Sequence, residues 1–388
     1  MASTSQHLTD FSEDLVGKGF DVTVLTARRG YANTKSLYAA RETYCGVDII
    51  RVWPFSFGRG SRISRILDAV FLNVAFALRL LFLSRFDTIV AMTSPPLVAW
   101  FALYVAKLKR SRFVYWMMDL NPDEAIEAGW IKKGSFEARI LGACLQYVIR
   151  RSDKIIVLDR FMKERLLKKG APKDRIEIIP PWAHSEDLET VEHKGNVFRK
   201  QHKLADKFVV MYSGNHSVCH PLDTLLEAAF KLRDEPSIAF VFIGGGERVG
   251  DVTSFREKHG LSNIMQLPYV GRSEVKYSLS AADVHAVVMG DRFVGIVHPC
   301  KIYNILSLGR HVVYIGPKGS HVGDILSGHD DIGCQVLQGD VDELAKVISR
   351  LKNAHSAENG KPNKEAQALA NKFQRSKISA ALSKAILG

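Results

Sequence analysis

Pro180-Pro181-Trp182 is the feature that most limits what this chain can fold into. Two successive prolines stop a helix and cannot sit in a central strand, so the chain must change structure there. On both sides of them the sequence repeats one pattern, in which short β-branched runs alternate with helical segments. Before the break, strands are expected at 21–26, 47–53, 86–92, 113–118, 154–158 and 176–179. Helices are expected at 5–18, 63–82, 97–108, 136–150 and 162–169. After it, strands are expected at 208–212, 238–243, 264–267, 284–289 and 312–317, with helices at 221–232, 252–259 and 274–281 and another opening near Pro299. Such alternation builds parallel sheets covered by crossover helices. Two such series imply an α/β fold of two Rossmann-like, doubly wound domains facing each other across a cleft. Their expected spans are 1–182 and 183–363, with a terminal helix at 364–388 that returns to the first domain.

A chain of 388 residues can close two such cores. The charge is uneven. Residues 1–182 hold 28 Lys/Arg against 18 Asp/Glu, a net of +10, and the remainder holds 25 against 23, a net of +2. A basic first half suits acidic lipid headgroups or diphosphates. Nucleic acid is disfavoured, because the charge is not interleaved with aromatics in a recognised module. The five cysteines contain no CxxC pair, which gives neither a zinc site nor a disulfide framework and fits a reducing, cytoplasmic setting. No signal-peptide pattern opens the sequence. The segment 63–82 is apolar on nearly every face, yet its unbroken apolar run is shorter than the ~20 residues a membrane span needs. It reads either as a buried core helix or as a helix lying on an acidic membrane surface, flanked by Arg59, Arg62, Arg65, Arg79 and Arg85.

Ligands of doubly wound sheets bind at the carboxyl ends of the strands. At one such end, Gly214-Asn215-His216-Ser217 offers backbone N–H groups suited to a diphosphate, with His216 or His220 as a further donor; the alternative is a glycine turn with a capping histidine. Gly244-Gly245-Gly246 permits close backbone approach. His298-Pro299-Cys300-Lys301 opens a helix, with Lys301 placed to neutralise a diphosphate leaving group or, alternatively, facing solvent. Arg272 is a second candidate cation, and Asn304 either reaches a ribose hydroxyl or is a surface amide. In the first half, Asp119 follows a strand and precedes a proline loop, where it could take a proton from an acceptor hydroxyl or cap the next helix. Asp123 and Glu124 are neighbouring candidates. No carboxylate cluster has metal-binding spacing, so no metal is expected. Walker, nucleophile-elbow and zinc motifs are absent.

Met211-Tyr212-Ser213-Gly214-Asn215-His216, Phe242-Ile243-Gly244-Gly245-Gly246, Leu267-Pro268-Tyr269-Val270-Gly271-Arg272, Ala281-Ala282-Asp283-Val284 and Pro299-Cys300-Lys301-Ile302-Tyr303-Asn304 together resemble retaining GT-B glycosyltransferases of family 4. The branch is that of the colanic-acid and O-antigen fucosaminyl-type transferases. Asp119-Leu120-Asn121-Pro122-Asp123-Glu124, Ile155-Ile156-Val157-Leu158, Arg165-Leu166 and Ile176-Glu177-Ile178-Ile179-Pro180-Pro181-Trp182 extend the resemblance over the first half.

The resemblance implies a UDP-linked sugar donor in the second domain. It also implies a saccharide acceptor, free or on polyprenyl diphosphate, in the first, with retention of configuration and neither metal nor cofactor. It places the diphosphate at Gly214–Ser217 and Pro299–Lys301, and the base and ribose near Gly246, Val270 and Asn304. A peripheral position on the inner face of the cytoplasmic membrane follows from such an acceptor. Three departures stand out. The family's paired glutamates fall on Ile296 and Asn304, and Asn215, His216 and Ser217 replace an Arg…Lys pair; that branch relaxes both features. The family's first strand and glycine turn are expected to be missing, because the sequence opens at the Thr4-Ser5-Gln6 helix start. Rival expectations are a GT-B nucleotide-sugar epimerase and a truncated, non-catalytic nucleotide-binding or partner subunit.

Overall fold

A computed structural model describes residues 3–29, 37–53, 62–183, 189–355 and 360–388. Most of the loop expected from Pro54 to Arg62, with Arg59, lies outside the described residues, as do the side chains of Arg62 and Arg65. Contacts divide the chain into two units, Met1–Pro181 with Ser376–Gly388, and Trp182–Arg375.

The first unit runs α1 (Ser3–Gly17), β1 (Thr23–Ala27), β2 (Arg41–Tyr44), β3 (Val47–Val52), α2 (Arg62–Phe82), β4 (Thr88–Ala91), α3 (Val98–Leu108), β5 (Arg112–Trp116), α4 (Asp123–Glu127), α5 (Phe136–Arg151), β6 (Lys154–Val157), α6 (Arg160–Lys168) and β7 (Ile176–Ile178). Its strands form two sheets, ordered β1-β3-β2 and β4-β5-β6-β7. All pairs are parallel except the β2–β3 hairpin, which the sequence pattern does not announce because Arg-Glu-Thr-Tyr carries no apolar alternation. β5 and β6 are buried on both faces, with Phe113, Val114, Ile155, Ile156 and Val157 all fully covered, as parallel strands between helices must be. Each such side chain contributes about 1.5–3 kcal/mol on leaving water.

The second unit runs α7 (Val197–Gln201), β8 (Phe208–Asn215), α8 (Asp223–Lys231), β9 (Ile238–Gly245), α9 (Val249–His259), β10 (Ile264–Leu267), α10 (Val275–Ser280), β11 (Val284–Val288), α11 (Lys301–Ser307), β12 (His311–Ile315), α12 (His321–Leu326), β13 (Gly333–Val336), α13 (Val341–His355) and α14 (Lys364–Ala370). One six-stranded parallel sheet has the order β10-β9-β8-β11-β12-β13. The order reverses between β8 and β11, and at such a switch loops leave the sheet in opposite directions and open a crevice.

The expected single helix over 364–388 is two. Asn363 caps α14 by accepting from the N–H groups of Glu365 and Ala366, and Gln374 is extended (φ −64°, ψ 141°), which breaks the ladder before α15 (Arg375–Leu387). α14 stays in the second unit, where Gln367 donates to the carbonyl of Ser307 on α11 (3.3 Å). α15 joins the first: Arg112 donates to the Ala385 carbonyl (3.2 Å) and Lys18 to Ser383 Oγ (2.8 Å).

Candidate functional site

The β8 and β9 strands end in register, Gly214 opposite Gly244 and Asn215 opposite Gly245. Both loops then turn in the left-handed region. Gly244 (φ 139°) and Gly246 (φ 138°) have no room for a Cβ, which would lie 2.0 Å from the Gly214 carbonyl oxygen and 2.3 Å from Asn215 Oδ1. The N–H of His216 donates to the Gly245 carbonyl (2.8 Å) and that of Arg248 to the His216 carbonyl (3.0 Å), so the two loops form one unit. Tyr212 donates to the carbonyl of Asn215 (2.6 Å) and fixes the first turn.

Lys301, the first residue of α11, reaches into this cradle. Its Nζ lies 3.6 Å from the centre of the Tyr212 ring, and a Cβ on Gly214 would sit 3.1 Å from it. The amine is out of solvent and has no hydrogen-bond partner. Burial alone pulls its pKa from the ordinary lysine range to about 7. The imidazoles around it are held neutral. His216 is buried and its pKa is lowered first by burial and then by Lys301, and its ring nitrogens form no well-aligned hydrogen bond. His220 bonds the Val288 carbonyl through Nδ1 (2.8 Å), and burial brings its pKa down to about 3. A buried amine beside neutral rings and glycine backbone is short of one thing, an anion.

The other expected members divide. Ser217 is half-buried, with its carbonyl accepting from the His220 N–H (3.0 Å). His298 is engaged by its own neighbours. It is buried, bonds the Tyr303 hydroxyl (2.8 Å) and stacks on His321 (3.6 Å), which makes it support for the loop before Lys301. The helix opens at Lys301 rather than Pro299, and Cys300 Sγ donates to the His298 carbonyl (3.2 Å). Val270 packs on the apolar cluster of Val209, Met211 and Val241. Arg272 opens an exposed 3-10 turn, and Asn304 is half-buried one turn into α11. Two aromatic residues were missed. The Tyr212 ring lies under the amine, and exposed Tyr269 lies against Gly245, where a Cβ would meet the ring at 3.2 Å. An aromatic residue two positions before a glycine turn, and another just after a strand, were the available signals.

In the first unit, Asp119 follows β5. Burial, and secondarily the negative Glu124, raises its pKa to about 7. It caps no helix, since α4 begins after Pro122 with no side-chain cap. Asp123 is committed to Lys169 (2.9 Å), and Glu124 accepts from Asn121 (3.3 Å). Beside this loop lies an apolar cavity of about 90 Å³, lined among others by Met92, Pro96, Trp100, Asn121, Pro122 and Leu145.

Residues 4–182 match the family model described as a glycosyl transferase 4-like domain. WbjE of Pseudomonas aeruginosa, named as a glycosyltransferase, is 25% identical over 305 residues, 76% of this chain and 75% of WbjE. WcaI of Escherichia coli K12, named as a colanic acid biosynthesis glycosyl transferase, is 26% identical over 248 residues, 63% of this chain and 61% of WcaI. The crystal structure of HepE from Anabaena in complex with UDP-glucose superposes with a TM-score of 0.74 at 15% identity, covering 99% of this chain and 95% of HepE. The fold is therefore GT-B, with a glycosyl transferase 4-like domain at 4–182. The chain is a transferase of the glycosyltransferase class.

Proposed function

We propose that the chain is a retaining glycosyltransferase that moves a sugar from a UDP-sugar to a saccharide, free or carried on polyprenyl diphosphate, in bacterial surface polysaccharide synthesis at the inner face of the cytoplasmic membrane. The observation that carries this reading is the buried, unpaired amine of Lys301 at the Gly214 turn. UDP-glucose in HepE and colanic acid in the name of WcaI support the donor and product classes. In the reaction the bond between the sugar C1 and the diphosphate oxygen breaks, and a bond from C1 to the acceptor hydroxyl oxygen forms on the same face of the ring, which keeps the anomeric configuration. The nucleoside diphosphate leaves with the electron pair. Lys301 neutralises its charge beside the Gly214–Ser217 loop, where the His216 N–H is already committed to the Gly245 carbonyl, and that charge develops most in the transition state. Asp119 accepts the acceptor proton, and a pKa of about 7 suits a base working near neutral pH. Tyr269 offers a face for the base, with Val270 and Asn304 toward the ribose.

The test uses the full chain with a panel of UDP-hexoses, following nucleotide release with and without oligosaccharide or lipid-linked acceptors. Acceptor-stimulated release with an unchanged anomeric configuration is expected. An epimerised nucleotide-sugar without acceptor would favour the epimerase, and absence of both turnover and UDP binding would sink the proposal.

A further inference from the structure

The outward side of α2 is the least explained surface of the first unit. Its inner side is anchored: Phe76 is buried, and Asn73 donates to the carbonyls of Ala69 (2.8 Å) and Pro96 (2.9 Å). Its outer side carries Leu67, Phe71, Val74, Leu78, Leu81 and Phe82, all exposed. At 100° per residue they fall in an arc of about 100°, and between Leu67 and Phe82 no polar residue falls within it. Water-facing helices ordinarily reserve that arc for charged residues. Such a face is larger than scattered apolar exposure explains.

The rim is basic. Residues 62–112 contain eight Lys/Arg and two Asp/Glu. Arg85 donates to the Arg110 carbonyl (3.3 Å), and Lys109 donates to the Leu83 and Ser84 carbonyls, so the carboxyl ends of α2 and α3 are joined. At that end Phe82 (79% exposed) and Leu108 (71% exposed) project between exposed Arg79, Arg85, Lys107 and Arg110, with Lys107 shared with Asp153 (3.2 Å). No helix is long and apolar enough, among the described residues, to cross a membrane.

We infer that the outer face of α2, with the joined ends of α2 and α3, lies in the headgroup–acyl boundary of an anionic lipid bilayer, the apolar arc inserted and the arginines on lipid phosphates. The acids close to this rim are few, Asp68 and Asp87 in sequence and Asp153 on Lys107, so its charge stays positive and calls for an anionic surface. A bilayer rich in anionic lipid answers both the apolar arc and the charge. The inference gives a physical surface to the membrane location proposed above, and it stands on the first unit alone.

Flotation of the full chain with vesicles tests it. Vesicles of phosphatidylglycerol and phosphatidylethanolamine should bind at least tenfold more protein than phosphatidylcholine alone, and 0.5 M salt should reduce the excess. Leu78→Glu/Phe82→Glu and the uncharged pair Leu78→Gln/Phe82→Gln should each lower binding at least tenfold. Unchanged circular dichroism and unchanged UDP affinity in the same preparations would show the fold intact. Equal binding to neutral and anionic vesicles, or no loss in the glutamine pair, would overturn the inference. So would a lipid-free dimer in light scattering that the same substitutions dissolve. Failure of UDP binding in the unaltered chain would count against the donor assignment alone.

Discussion

Binding of UDP at pH 8 is expected to take up about 0.9 proton from the buffer. With a pKa of about 7, only about a tenth of the Lys301 amine is charged at that pH in the empty site. The diphosphate is itself fully ionised there, and placed beside Nζ it restores the ammonium form. At pH 6 the amine is already about nine-tenths charged, so its uptake falls to about 0.1. Equivalently, UDP affinity falls about tenfold for each pH unit above 7 until the amine of the complex titrates. Isothermal titration calorimetry in buffers of different ionisation enthalpy reads the proton number directly. Lys301→Met should abolish the Lys301 share and weaken UDP at least tenfold, since it removes the charge and leaves the apolar stem. His216→Asn isolates the neighbouring imidazole and should leave most of the uptake in place. Zero uptake at pH 8 in the unaltered chain, or unchanged uptake in Lys301→Met, would refute the buried-amine account.

The same residue carries a stability cost with a definite sign. Its folded pKa of about 7 lies below the ordinary 10.5, so the cost is fully present below pH 7 and disappears as pH rises to about 10. Without UDP, Lys301→Met should therefore be more stable by about 2–4 kcal/mol at pH 6 in urea unfolding, with the gain shrinking toward pH 10. Asp119 runs the other way: its pKa rises from 3.8 to about 7, so its contribution to stability is lost as pH climbs through that window. Asp119→Asn should match the parent near pH 4, exceed it in stability at pH 8, and reduce acceptor-dependent UDP release by about 100-fold. The parent rate should rise with pH through about 7. Gly246→Ala, with no space for its methyl and a φ of 138°, should cost about 1–3 kcal/mol and weaken UDP. Gly250→Ala, in α9 with nothing within 4 Å, should be neutral or slightly stabilising, and differential scanning calorimetry compares the two.

Long-period features were legible in the sequence. β11 and β12 are valine-rich runs buried at every position, and the pattern of 284–289 and 312–317 marked them within two residues. The Gly214 and Gly244 turns and Lys301 were visible because glycine after a strand and lysine at a helix start are local signals. What the sequence withheld was three-dimensional. The face of Tyr212 meets Lys301 across 89 positions, and nothing local records it. The stacking of His298 on His321, 23 positions on, is likewise recorded by nothing local. β13 and β2 escaped because short strands with few apolar residues have no period to read. The terminal helix was drawn too long because Asn371 and Gln374 are tolerated in helices, and only backbone geometry shows the break.

The separation of the first unit's strands into two sheets has a practical consequence for handling the protein. Among the described residues β1 pairs only with β3, and β4 only with β5, so each presents one free edge of backbone donors and acceptors. Thr23-Val24-Leu25-Thr26-Ala27 is uncharged, rich in β-branched residues and half-buried along its whole length. Such an edge is a template for intermolecular strand addition, which charged or proline-bearing edges resist. On warming, turbidity should therefore begin in the first unit while the six-stranded sheet of the second, whose own edges are β10 and β13, is still folded. Shelf life in concentrated solution would then be governed by colloidal growth from β1 and β4 rather than by the melting point of the second unit.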